Sequence, residues 1–245
     1  MDFHVGRLIA HLKQTGDYEN TAFVFLSDNG TEGSDYREAQ LWLVTQYSQD
    51  IDRLGAKGAY GIMGPSWASA AASPLSTYKF YAGEGGVRSP LIISGVPGTS
   101  PNSVMPGLAH VNDIVPTLLD LAGVARPGNS YKGQPVEPMT GRSLVPALRG
   151  ETASVHPEDE PIGYELSGNQ ALFKGNLKLV KNMAPVGDGQ WHLYDLAADP
   201  GETTDIFPKA GAQKLAWQKQ LRELGKASRP AETPSGADPA IRERH

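Results

Sequence analysis

The sequence predicts an α/β chain that finishes in a small antiparallel sheet. First, Val5, Leu8, Ile9 and Leu12 follow the i, i+3, i+4, i+7 rhythm of a helix and lead into the apolar run Phe23-Val24-Phe25-Leu26, which stops at Ser27-Asp28-Asn29-Gly30. Second, another short strand-like run, Arg88-Ser89-Pro90-Leu91-Ile92-Ile93-Ser94-Gly95, is followed by a second helical pattern from Ile114 to Ala122. Third, after Pro161 the period becomes strand-like, in four short segments.

Gly16 supplies the stop of the first helix. Asp17 to Asn20 form a polar link into a strand at Thr21–Ser27. Helix, link and strand read as a half-turn of a parallel unit, with the strand buried. Arg37–Ile51 is partly helical in pattern; Gly55, Gly58, Gly61, Gly64 and Pro65 then mark irregular backbone, and the small-residue stretch Trp67–Ser73 suits close packing. Arg88–Gly95 is a short apolar strand with Pro90 at its entry, where the missing N–H does least harm. A Pro/Gly/Ser/Asn loop, Val96–Gly107, follows. In the next helix Asn112 or Asp113 can cap the start, Pro116 falls in the first turn, Ile114, Thr117, Leu118, Leu121 and Ala122 share a face, and Gly123 ends it. Gly141–Leu148 holds a short further turn of helix.

The acidic, proline-containing segment Glu151–Pro161 is the expected boundary, giving a first domain over 1–150, a sheet-plus-helix subdomain over 151–226 and a disordered tail over 227–245. Ile162–Leu166, Ala171–Lys174, Leu177–Lys181 and Trp191–Leu196 are the strands, with Gly175-Asn176 as a hairpin turn. Asp199-Pro200-Gly201-Glu202 is a turn, and Lys209–Gly225 an amphipathic helix with Trp217, Leu221 and Leu224 on one face.

Composition narrows the chemistry. With a net charge of −5, the 245-residue chain lacks the electrostatic footprint of a nucleic-acid or anionic-membrane binder. It has no cysteine, which removes disulfides, thiolate metal sites and a cysteine nucleophile. No run approaches the ~18 apolar residues of a membrane span, and Met1-Asp2-Phe3-His4 has no signal-peptide pattern. Compartment is left open.

The candidate chemistry lies in two places. Asp28 and Asn29 put two side-chain oxygens at a strand's C-terminal end, where ligands of open α/β sheets bind. Such oxygens suit a hard divalent cation, but Asp-Asn-Gly is also common turn chemistry, and two ligands are too few for Ca²⁺ or Mg²⁺. Lys79 stands among aromatics ahead of a Gly-rich turn, in Tyr78-Lys79-Phe80-Tyr81-Ala82-Gly83-Glu84-Gly85-Gly86-Val87-Arg88. It reads as an oxyanion contact or as a snorkelling surface lysine. Arg88 is a second anion contact or an ion-pair partner of Glu84. His4, His11, His110, His156, His192 and His245 form no recognisable constellation, Glu165 and Asp195 read as solvated, and no His-Glu-x-x-His, Gly-x-Ser-x-Gly or phosphate-loop motif occurs.

Taken together, several segments resemble the sulfatase family: Phe25-Leu26-Ser27-Asp28-Asn29-Gly30; Tyr78-Lys79 with Glu84-Gly85-Gly86-Val87-Arg88-Ser89-Pro90; Asp113-Ile114-Val115-Pro116-Thr117-Leu118-Leu119-Asp120-Leu121-Ala122-Gly123; and Leu193-Tyr194-Asp195-Leu196 with Asp199-Pro200-Gly201-Glu202. Gly64-Pro65-Ser66-Trp67-Ala68 and Trp191-His192-Leu193-Tyr194 are most similar to bacterial arylsulfatases. The resemblance implies the C-terminal part of an alkaline-phosphatase-like α/β fold, with a four-stranded antiparallel sheet and helix after it. It also implies Ca²⁺-dependent hydrolysis of a small-molecule sulfate ester (Mg²⁺ being the lesser alternative), with Asp28 and Asn29 as cation ligands and Lys79 as a sulfate contact. The family's nucleophile is a formylglycine made in a Cys/Ser-x-Pro-x-Arg motif. This chain contains no such motif and no match to the family's N-terminal metal-binding aspartates, lysine and histidines. The expectation is therefore a C-terminal fragment without a catalytic nucleophile, inactive alone, whose partner is the missing N-terminal half. Two other readings are a phosphate or phosphonate ester hydrolase of the same superfamily, and a non-catalytic chain that binds a partner through an exposed strand edge.

Overall fold

The computed structural model describes residues 1–34, 41–99, 102–105, 107–209, 211, 215–217 and 219–220. They fall into two compact units, one from Met1–Asn29 and Arg88–Glu160, the other from Gly30–Val87 and the segment beginning at Pro161.

In the first unit, helix α1 (Asp2–Thr15) ends at Gly16, whose φ of 84° is the left-handed turn that glycine adopts without a Cβ penalty. Its predicted apolar face has little to cover it: Ile9 and Leu12 are half-buried, and Val5 and Leu8 are exposed. Strand β1 (Phe23–Leu26) follows. The second unit continues with α2 (Leu41–Gln46), α3 (Gly64–Ala72), which has Pro65 in its first turn, and the short α4 (Glu84–Val87). Trp67 on α3 is exposed and Ala68 is buried.

The chain then returns to the first unit in β2 (Leu91–Ser94). Here the structure corrects the sequence reading. β1 pairs antiparallel with β2, from Phe23 opposite Ser94 to Leu26 opposite Leu91. A two-stranded ribbon cannot bury both faces, and Phe25, Leu26 and Ile92 are exposed. Among the described residues β1 is therefore neither buried nor part of a parallel unit.

A capping box precedes the next helix, α5 (Ile114–Leu121). The His110 ring accepts from the Asn112 N–H, and the Asp113 carboxylate accepts from the His110 N–H. The buried stripe of α5 is Pro116 and Thr117; Leu118, predicted to lie inward, is exposed. Thr117 links α5 to the next turn, since its hydroxyl donates to the Asp113 carbonyl and accepts from the Leu144 N–H. A small hairpin, β3 (Ser130–Tyr131) and β4 (Gln134–Pro135), and α6 (Val145–Leu148) complete this unit.

The second unit resumes with the predicted antiparallel sheet: β5 (Ile162–Leu166), β6 (Asn169–Lys174), β7 (Leu177–Lys181) and β8 (His192–Asp195), paired in that order. Both central strands are buried on both faces. On one face Leu172, Leu179, Leu193 and Phe207 form a core against which Leu177, Trp191, Ile206 and Trp217 pack. Each such large apolar side chain stabilises the fold by about 1.5–3 kcal/mol. The other face carries Ala171, Val180, Phe173 and the fully buried Lys178. Residues 215–217 and 219–220 are helical, as predicted for that stretch; Leu221, Leu224 and the 227–245 tail lie outside the described residues. No helix among the described residues is long and apolar enough to cross a membrane.

Candidate functional site

The end of β1 bends at Asp28, Asn29 and Gly30, and the Ser27 hydroxyl closes the bend by donating to the Asn29 carbonyl over 3.0 Å. Asp28 is exposed and Asn29 half-buried. A carboxylate and an amide oxygen are the donors a hard cation prefers. They are two where Ca²⁺ takes six to eight, and no group of three or more His, Asp or Glu side chains able to hold a metal exists among the described residues. The donors fit such an ion in kind but do not complete its shell.

Lys79 belongs to the second unit. Its backbone N–H donates to the Thr31 carbonyl at 2.9 Å, and its ammonium lies 2.7 Å from Glu32 Oε2. Glycines make this approach possible. A Cβ on Gly30 would lie 1.9 Å from the Gly85 carbonyl oxygen, and one on Gly33 2.3 Å from the Tyr78 ring. Glu32 is held from its other oxygen by the Ser34 N–H and hydroxyl, at 2.9 and 2.6 Å. Hydrogen bonds from Lys79 and then Ser34 outweigh the small burial cost and bring the Glu32 carboxyl down to about 2. Thr77 and Phe80, on either side of Lys79, have φ of 62° and 88°, a region costly for side chains with a Cβ. Such backbone persists only where the surroundings hold it.

The four-stranded sheet supplies that hold. Lys178 Nζ contacts Glu84 Oε1 and Glu202 Oε1, each at 2.8 Å, with all three side chains buried, and lies 4.9 Å above the Phe173 ring. Glu202 also accepts from the Glu84 N–H at 2.8 Å and from the Ser76 hydroxyl. Asn182 accepts from the Ala82 N–H at 2.7 Å, and Asn169 donates to the Phe80 carbonyl at 3.2 Å. The segment that carries Lys79 is thus fastened to β6, β7 and the loops beside them.

This network is what sequence reasoning missed. Lys178 sits in an alternating strand and Glu202 in a turn, and nothing in one sequence links residues 94 and 118 positions apart. Glu84 is engaged by Lys178. The histidines also gain partners. In the first unit His156 Nε2 lies 2.9 Å from Asp113 Oδ2, the oxygen that caps His110. Burial lowers the His110 pKa, a nearby Asp113 charge raises it and His156 lowers it, with a net fall. In the second unit His192 sits between Asp205 (3.0 Å) and Asp188 (3.1 Å), and its ring stacks on Tyr194. Burial depresses its pKa, but the hydrogen bonds and charges of the two carboxylates outweigh this and raise it. Burial first, then the surrounding carboxylates, push Tyr194 up to about 12. Glu165 and Asp195 are not merely solvated: their carboxylates accept from backbone N–H groups of Gly168 and Ala197.

Comparison with known proteins agrees with these motifs. A family model described as Sulfatase matches residues 1–124. An uncharacterized sulfatase of Schizosaccharomyces pombe is 35% identical over 212 residues, 84% of this chain and 38% of that protein. An arylsulfatase of Klebsiella aerogenes is 36% identical over 147 residues, 59% of this chain and 32% of the relative. Among solved structures, Ps i-CgsB, crystallised with k-i-k-neocarrahexaose, superposes with a TM-score of 0.63 at 22% identity, covering 91% of this chain and 40% of that one. The PsFucS1 sulfatase of a Pseudoalteromonas species gives 0.55 at 23%, covering 91% and 39%. At such identities these superpositions speak for the shared α/β fold of the alkaline-phosphatase-like sulfatases. The chain spans less than two fifths of the length of both curated relatives. By the family model that covers half of it and the relative that matches most of it, the chain belongs to the sulfatase family.

Proposed function

We propose that this chain serves an arylsulfatase-type hydrolase, which converts a sulfate monoester and water to an alcohol or phenol and sulfate. It would correspond to the C-terminal part of that enzyme. Lys79 contacts the sulfate, and Asp28 and Asn29 contribute oxygens to a Ca²⁺ site completed by groups outside the described residues. The ion, when bound, would polarise the ester and help hold the nucleophile. The chain's own residues bind and orient. The observation that carries the reading is the build of the Lys79 segment: strained backbone fastened by a buried ion network, presenting a partly exposed ammonium. Rigid presentation of a cation is what oxyanion binding needs. Similarity to the Klebsiella arylsulfatase supports the aryl ester as substrate.

No cysteine and no Ser-x-Pro-x-Arg occurs in the chain, so the formylglycine nucleophile is assigned to a segment outside these 245 residues. Mixing the chain with the sulfatase portion that bears this motif, already converted to formylglycine, should produce Ca²⁺-dependent hydrolysis of p-nitrophenyl sulfate. Two soluble, associated pieces without hydrolysis would count against the proposal. Faster hydrolysis of p-nitrophenyl phosphate would favour a phosphate ester hydrolase instead.

A further inference from the structure

We infer that Glu32 sets the charge preference of the Lys79 anion seat, favouring singly charged sulfate esters over doubly charged phosphate esters. The inference rests on the reading of Lys79 as the sulfate contact. Its grounds are geometric. Glu32 Oε2 lies 2.7 Å from the Lys79 ammonium, and Oε1 is tied to Ser34, so the carboxylate is a fixed negative charge beside the seat. The tight passage of Gly33 against Tyr78 keeps it there. With its carboxyl held near 2, Glu32 is charged throughout the working pH range.

An ester oxygen approaching Lys79 meets attraction from the ammonium and repulsion from Glu32. The repulsion scales with the ligand's charge. A sulfate monoester carries one negative charge, while a phosphate monoester, whose second pKa is about 6, carries two at pH 8. For a ligand centre about 6 Å from the carboxylate, at a water-like dielectric, Glu32 weakens a monoanion about threefold and a dianion about tenfold. A lower effective dielectric enlarges both factors and widens the gap.

The test uses the intact chain at pH 8, with sodium chloride adjusted so that the ionic strength is the same for both ligands at every point, because screening acts on both. Phenyl sulfate and phenyl phosphate are titrated up to 100 mM (roughly the limit for weak surface sites), and the backbone amide resonances of residues 77–81 are followed by NMR. Wild type should show a sulfate-to-phosphate affinity ratio about threefold higher than the variant that lacks the Glu32 charge. Glu32→Gln keeps the shape and the Ser34 bonds but removes the charge. It should tighten phenyl sulfate about threefold and phenyl phosphate about tenfold. Glu32→Asp, which keeps the charge, should retain the wild-type ratio; a purely structural role would alter stability and leave the ratio unmoved in both variants. Lys79→Met should abolish both titrations.

If Glu32→Gln changes both affinities by the same factor, or neither, the charge-selection inference falls while the Lys79 reading stands. If Lys79→Met leaves both titrations intact, the Lys79 reading falls, and the inference with it. Absence of any titration in both wild type and Glu32→Gln overturns both.

Discussion

Replacing Lys178 by methionine tests the role assigned to the buried network. The side chain is fully buried, and its two carboxylate partners are 5% and 2% exposed. Methionine fills similar space but leaves Glu84 and Glu202 facing each other without a counter-charge. Removing one partner from a buried ion pair costs about 3–5 kcal/mol, because the remaining charge stays desolvated. For a protein of this size each kcal/mol moves the unfolding midpoint by about 2–4 °C, so a fall of about 6–20 °C is expected. Calorimetry at pH 7 measures it. The triple variant Lys178→Met, Glu84→Gln, Glu202→Gln should recover most of the loss, since it removes the charges together. The reasoning is refuted if Lys178→Met melts within about 2 °C of wild type, or if the triple variant is less stable than the single one.

Three further predictions concern the Lys79 loop and His192 with its two carboxylates. The Glu32 carboxyl should titrate near 2 by ¹³C NMR, and Lys79→Met should bring it back toward its ordinary 4.5. Because this pKa is lowered in the fold, the pair stabilises above about 4.5 and the contribution is lost as pH falls toward 2; with both side chains partly exposed it is worth at most about 1 kcal/mol and shrinks in salt. The His192 pKa is raised, so its contribution is complete below the ordinary 6.5 and is lost as pH climbs through the folded value; Asp205→Asn should lower that value in an NMR titration of the ring, and an unchanged midpoint would remove Asp205 as a cause. Gly33→Ala drives a Cβ to 2.3 Å from the Tyr78 ring and should destabilise by about 1–3 kcal/mol in urea unfolding, whereas a neutral result would show that the loop and ring do not meet.

How much of this was legible in the sequence depended on how local the cause is. The antiparallel sheet was visible because alternation and the Gly175-Asn176 turn are local signals; β5 and β7 coincide with the predicted runs. Helix α1 and its Gly16 stop were equally plain. The burial of β1 was misread because Phe23–Leu26 shows apolarity but not what stands beside it, and its ladder with β2 leaves two of its apolar side chains exposed. Leu118 was placed inward by periodicity, but the helix turns Pro116 and Thr117 inward to meet the Leu144 turn. Lys79 stood out beside its glycines. Glu32, three residues beyond Asn29, carries no local signal, because its significance lies in a contact with Lys79, distant in the chain. The same is true of Lys178: a lysine in a strand reads as solvated until two distant carboxylates are seen to enclose it.

The most direct measurement is the rate of p-nitrophenyl sulfate hydrolysis by wild-type chain and its Lys79→Met variant, each alone and each mixed with the formylglycine-bearing sulfatase portion. The account predicts no turnover by the chain alone and Ca²⁺-dependent turnover by the mixture. It also predicts a fall in kcat/KM of about 10- to 150-fold when Lys79 is lost, the equivalent of one charged hydrogen bond. Turnover by the 245-residue chain alone, or a Lys79→Met mixture within twofold of wild type, would contradict it.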